Sequence, residues 1–144
     1  GKNYVGAIWQ PALVLMDLAT LDTLPARELA AGFAEVIKYG LLEGGELQHR
    51  IHSWPRLPGE RTALTQLILD CIAHKLRVVA QDEREHGLRA SLNLGHTVGH
   101  GIEAAGGYTR YLHGEAISLG MLAALPLLFK YLSGGRSDRE RSLG

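Results

Sequence analysis

The stretch ARELAAGFAEVIKYGLL, Ala26 to Leu42, constrains this chain more than any other. Leu29, Phe33, Val36, Ile37 and Leu41 recur at helical spacing and predict one apolar face. The opposite side is also bland, with Ala30, Ala31, Ala34 and Leu42. Between Leu29 and Leu42 the only charges are Glu35 and Lys38. A helix that is apolar nearly all round belongs in an interior. On an exposed helix, a pair three residues apart is worth roughly a few tenths of a kcal/mol. Inside an apolar environment a glutamate must instead be paired or bind a metal. Pro25 suits the first turn, Glu28 sits near the positive end, and Gly44-Gly45 ends the helix.

Elsewhere the pattern predicts a mainly α chain, with one short strand followed by four or five helices. ALVLMD, Ala12 to Asp17, reads as a buried strand, and Asp22 and Thr23 as a turn. A short helix is expected over Glu46 to His52, then a loop around Pro55 and Pro58. The next helix should cover about Glu60 to Gln81. Its apolar stripe is Leu64, Leu67, Ile68, Cys71, Ile72 and Val79, and Lys75 falls on the same stripe. DEREHG, Asp82 to Gly87, is a charged turn. Arg89 to Leu94 leads into a helix carrying His96, His100 and Glu103, stopped by Gly106-Gly107. A last helix starts near His113 and runs to about Leu132, kinked or ended early by Pro126.

Composition excludes several classes. The 144 residues suffice for one core. Fifteen basic residues balance fifteen acidic ones, so no nucleic-acid or membrane surface is expected. The apolar run Ile117 to Phe129 is too short and interrupted to span a bilayer. Cys71 is the only cysteine, which rules out an internal disulfide framework and fits a reducing cytoplasm.

The chemistry-bearing residues cluster in NLGHTVGHGIE. Asn93, His96, His100 and Glu103, at steps of three, four and three, would form one polar helical stripe. Two histidines four apart can reach one metal, but Thr97 stands where a metalloprotease carries its glutamate. One carboxylate with two imidazoles would satisfy a catalytic zinc and leave positions open for substrate. Lys38, Lys75 and Arg89 would add positive charge for an anionic substrate. Lys75 could equally snorkel at a rim, and Arg89 could cap a helix. Spacing alone does not say which histidine is a ligand and which is free for proton transfer.

The stretches GKNYVGAIWQP, TLPARELAAGFAEVIKYGLL, HKLRVVAQDEREHGLRASLNLGHTVGHGIE and GYTRYLHGEAISLGM resemble the C-terminal part of the 3-dehydroquinate synthase family. The resemblance covers most of Gly1 to Met121. It implies metal ligands at Glu35, His96 and His113, for Zn2+ or Co2+, with His100 a non-ligand that handles substrate and proton transfer. It implies substrate contacts and catalytic assistance at Lys38, Lys75, Arg89 and Asn93, and a substrate contact at Asn3. NAD contacts are implied at Lys2 and over Thr20, Leu21, Asp22 and Thr23. The implied plan joins an α/β NAD-binding domain to a helical metal- and substrate-binding domain, in a cytoplasmic homodimer. Residues 1–23 would end the first domain and 24–144 would form a C-terminally truncated second. The implied reaction turns the sugar phosphate 3-deoxy-D-arabino-heptulosonate 7-phosphate into 3-dehydroquinate and phosphate, in the shikimate pathway of aromatic amino acid biosynthesis, with NAD regenerated each turnover.

Three rivals remain at this point: a related cyclase of the deoxy-inosose or valiolone type, a metal-dependent glycerol or alcohol dehydrogenase, and a non-catalytic stand-alone domain. No glycine-rich pyrophosphate loop occurs in the chain, because no strand precedes Gly106-Gly107. The sequence past Met121 drifts from the family pattern. The chain by itself is therefore expected to be inactive even when it binds zinc. Incubation with the sugar phosphate and NAD should yield no dehydroquinate, and detectable product would refute this expectation.

Overall fold

The computed structural model describes residues 5–7, 9–54 and 60–141, with side chains as far as residue 130. Among the described residues five α-helices carry the fold: α1 Ala26–Glu43, α2 Gly45–His52, α3 Arg61–Gln81, α4 His96–Ala105 and α5 His113–Arg141. Two 3-10 turns, Leu18–Thr23 and Leu88–Asn93, precede α1 and α4. α1 is the hub and packs on α2, α3 and α5, while α4 packs along α5. The fold is mainly α, as the sequence predicts. The loop expected around Pro55 and Pro58 lies outside the described residues.

ALVLMD is not a strand, and no strand occurs among the described residues. A strand needs a neighbour for its backbone N–H and C=O groups, and this segment meets none here. Its Leu15 is 86% exposed.

The buried face of α1 is rotated from the one its large residues predict, with Leu29, Phe33 and Val36 only half-buried. Ala31, Ala34, Lys38 and Gly40 are buried, whereas Ile37 and Leu41 are exposed. The reason is close approach. The start of α5 crosses α1 so tightly that a Cβ on Gly114 would overlap the Ala31 carbonyl. A second close approach lies further along α5, where a Cβ on Gly120 would overlap the Gly95 carbonyl before α4. Gly99 on α4 faces the fully buried Ile117. Small residues at these crossings let helix backbones meet, so bulky ones are displaced outward.

α3 is turned relative to its expected stripe. Leu67, Cys71, His74 and Val78 are buried, and Lys75 is exposed. His74 takes the interior position because Glu43, at the end of α1, pairs with its Nδ1. Burial pushes the Cys71 thiol up to about 11, which favours the inert thiol form.

The helix carrying the histidines begins later than the stripe required. Residues 88–93 form the separate 3-10 turn, and Gly95 adopts the left-handed conformation, φ +80°. That turn takes Asn93 off the face shared by His96 and His100. α5 does not end at Pro126; it runs on to Arg141. Proline deletes one helical hydrogen bond, and the ladder resumes beyond it.

The first turn of α5 is anchored to α1. Both carboxylate oxygens of Glu115 pair with Arg27, at 2.6 and 2.7 Å, and one accepts from the Leu112 N–H at 2.9 Å. Arg27 holds the Glu115 carboxyl below its ordinary value. Substituting Gly114→Ala should overpack the α1–α5 crossing and cost about 3 kcal/mol, the upper part of the usual range. Urea denaturation measures it, and an unchanged midpoint would show that the crossing tolerates a methyl group.

Candidate metal centre

The two close helix crossings bring three side chains to one place. Glu35 lies one turn beyond Ala31 on α1, His96 opens α4 just after Gly95, and His113 opens α5 just before Gly114. One potential ligand atom from each lies within 4.8 Å of the others. His96 Nε2 stands 3.7 Å from Glu35 Oε1, near the ~3.3 Å edge of a tetrahedron with zinc-like bond lengths.

Each group is prepared by a neighbour. Buried Lys38, its side chain 4% exposed, pairs with Glu35 Oε2. The other oxygen, Oε1, is buried and has no hydrogen-bond partner among the described residues. A buried carboxylate oxygen left unsatisfied is costly, and a cation seated beside His96 would satisfy it. His96 Nδ1 lies 3.2 Å from the Leu94 carbonyl, which assigns the proton to Nδ1 and leaves Nε2 as a lone pair facing Glu35. Burial, aided by Lys38 and His113, lowers the pKa of His96 and outweighs the opposing effects of Leu94 and Glu35. The neutral, metal-ready ring is thereby favoured. These residues fit a divalent metal with nitrogen and oxygen ligands.

His100 stands beside this set rather than in it. It is 53% exposed, and its ring centroid lies 5.5 Å from that of His96 and 5.6 Å from that of His113. Its Nδ1 bonds Glu103 at 2.6 Å. Glu103 also reaches His113 Nδ1, at 3.1 Å. His100, Glu103 and His113 make a second cluster with ligand-like spacing.

Two family models match adjoining parts of this chain. The model described as 3-dehydroquinate synthase C-terminal matches residues 32–141, and the one described as 3-dehydroquinate synthase N-terminal matches residues 1–31. The chain belongs to the 3-dehydroquinate synthase family. It is 49% identical over 143 residues to a 3-dehydroquinate synthase of Citrifermentans bemidjiense, covering 98% of this chain and 40% of the relative. It is 56% identical over 126 residues to that of Gloeobacter violaceus, covering 86% and 35%. A third relative so named, from Psychrobacter cryohalolentis, is 51% identical over 131 residues, covering 88% and 35%. The chain thus spans about two-fifths of the length of the curated relatives it matches.

The other positions singled out by the family resemblance are more dispersed. Arg89 donates to the Glu83 carbonyl at 2.5 Å, and its own N–H bonds the Asp82 carboxylate at 2.9 Å. Three backbone N–H groups on Asp82 lower its pKa and shape the DEREHG turn. Asn93 donates to Glu85 at 2.6 Å. It lines an open cavity of about 530 Å³ with Leu41, Thr97 and Val98, which none of His96, His100 and His113 lines. Lys75 is exposed on α3. Leu21 and Asp22 line another cavity, of about 430 Å³, and Asp22 pairs with Arg61 at the start of α3. Lys2 and Asn3 lie outside the described residues.

Two glutamates had motif positions in the sequence but no role. Glu115 of LHGEA is the Arg27 anchor, and Glu103 is the shared partner of two rings. Pairing with Arg27 across 88 positions leaves no periodic signal.

Variants at two candidate ligands should lose both metal and stability, to different degrees. His113→Ala should lose most bound zinc, and it also removes the ring 3.1 Å from Oε1 of buried Glu103, at roughly 1–3 kcal/mol. Glu35→Gln should also lose zinc, and additionally leave Lys38 buried without its carboxylate, at about 3–5 kcal/mol. Metal analysis of the purified variants checks this, and unchanged zinc content in both would reject the triad.

Proposed function

We propose that this chain is the metal- and substrate-binding part of a 3-dehydroquinate synthase, a carbon–oxygen lyase acting on 3-deoxy-D-arabino-heptulosonate 7-phosphate. The observation that carries this reading is the meeting of Glu35, His96 and His113 at one point, with Glu35 Oε1 buried and unsatisfied. These residues occupy the family motif positions in AEVIKYG, NLGHT and LHGEA.

Glu35, His96 and His113 would hold zinc or cobalt. When bound, the metal would supply Lewis-acid polarisation of substrate oxygens and lower the pKa of a hydroxyl. Lys38 keeps Glu35 Oε2 neutralised, so that only Oε1 faces the ligand set. With Nδ1 directed at Glu103, His100 presents Nε2 as the free basic nitrogen. Its exposure lets that atom accept and return a substrate proton. Lys75 and Arg89 would contribute positive charge toward phosphate or carboxylate, and Asn93 a hydrogen bond to a hydroxyl. Arg89 and Asn93 must exchange their Glu83 and Glu85 partners to do so.

NAD would perform the redox chemistry in this reading. Leu21 and Asp22 line one edge of a cavity, but the described residues contain no loop that cradles phosphates, so Lys2 and a preceding α/β domain would have to hold the cofactor. Residues 1–23 then belong to the junction and 24–144 to the metal domain. The whole protein is read as a cytoplasmic homodimer of the shikimate pathway. No helix among the described residues is long and apolar enough to cross a membrane.

In the full-length protein carrying this sequence, His100→Asn should lower kcat by roughly 10²–10⁴-fold, the usual worth of a general base or acid, while zinc content stays unchanged. Phosphate release from the sugar phosphate measures it. A kcat within threefold of the parent would remove His100 from the proton path.

A further inference from the structure

Glu103 is one of three buried polar side chains among the described residues, with Lys38 and His74. Burying a carboxylate is costly unless its oxygens are engaged. Here Oε2 bonds His100 Nδ1 at 2.6 Å and Oε1 bonds His113 Nδ1 at 3.1 Å. An ionised carboxylate only accepts hydrogen bonds. Both rings must therefore present Nδ1–H to it, and both keep the Nε2 lone pair for another partner. The two ring planes lie 29° apart, with centroids at 5.6 Å.

We infer that Glu103 is a positioning residue that sets the tautomer and orientation of His100 and His113 together. One buried carboxylate thereby links a metal-ligand ring to the proton-handling ring. The ligand role of His113 rests on the function proposed above, whereas the tautomer pair does not. A carboxylate that orients a ligating histidine typically matters ten- to a hundredfold in metal affinity. A glutamine cannot replace it, because an amide has one accepting oxygen and one donating NH2. Glu103→Gln should keep its oxygen on the shorter bond, to His100, and turn its NH2 toward His113. His113 would then have to accept at Nδ1 and carry its proton on Nε2, the one nitrogen left for a metal while Nδ1 stays on residue 103.

The test uses the 144-residue chain labelled with 15N-histidine, metal-free, at pH 8, read by long-range 1H–15N correlation. In the parent chain both His100 and His113 should be Nδ1–H tautomers. In Glu103→Gln, His113 alone should switch to Nε2–H, and zinc affinity, by competition with a chromophoric chelator, should fall roughly ten- to a hundredfold. Glu103→Asp, which keeps a carboxylate, should restore the Nδ1–H tautomer of His113. Nε2–H tautomers in the parent chain would overturn the proposal even if no variant folds. So would a Gln variant whose tautomers, or whose zinc affinity within twofold, match the parent. A loss beyond a thousandfold would mark Glu103 as a ligand itself and equally overturn it. Should the parent chain bind no zinc, the metal reading fails, and the tautomers alone decide the role of Glu103.

Discussion

The candidate centre depends on how closely α5 approaches its neighbours. Gly114 lies against the Ala31 carbonyl and Gly120 against that of Gly95. Each contact sits beside a site residue: Glu35 one turn past Ala31, His113 next to Gly114, His96 next to Gly95. A methyl group at either glycine would push apart the elements that carry the candidate ligands. The Arg27–Glu115 pair holds the same crossing at the surface. Packing and chemistry are thus coupled through residue size, since the small residues that allow contact are sequence neighbours of the polar residues that contact brings together.

Electrostatics then prepares each group separately. Lys38 occupies one oxygen of Glu35, the Leu94 carbonyl lies against Nδ1 of His96 as a hydrogen-bond acceptor, and Glu103 does the same for Nδ1 of His113. His96 has a lowered pKa chiefly because it is buried. The unfolded chain, with an ordinary value near 6.5, binds that proton more readily than the folded one. The contribution of neutral His96 to stability is therefore complete above about pH 6.5 and is lost as pH falls through its folded value. Protonation also removes the Nε2 lone pair, so acid opposes both folding and metal binding at this ring.

Much of the fold was legible because helix periodicity and its punctuation are local. α1 ends at Gly44 and α4 at Gly106, where glycine signals stood. The face each helix buries was less legible. α1 turns Ala31 and Ala34 inward rather than Ile37 and Leu41, because a close crossing rewards small residues over large ones. On α3, His74 displaces Lys75 from the interior because Glu43, 31 positions away, pairs with it. The polar stripe failed at Asn93 because Gly95 changes the chain direction before α4 begins. The strand reading of ALVLMD failed because hydrophobicity alone does not supply a pairing partner. Glu35, His96 and His113 come from three helices, so their convergence was visible only through family resemblance, and no spacing rule reveals that Glu103 serves two rings.

The most direct measurement is anomalous diffraction at the zinc edge from crystals of the zinc-loaded chain. The account predicts one peak within bonding distance of Glu35, His96 and His113, with His100 outside it and Glu103 on the far side of the imidazoles. A peak held instead by His100, Glu103 and His113, the alternative cluster, or no peak at Glu35, would contradict it.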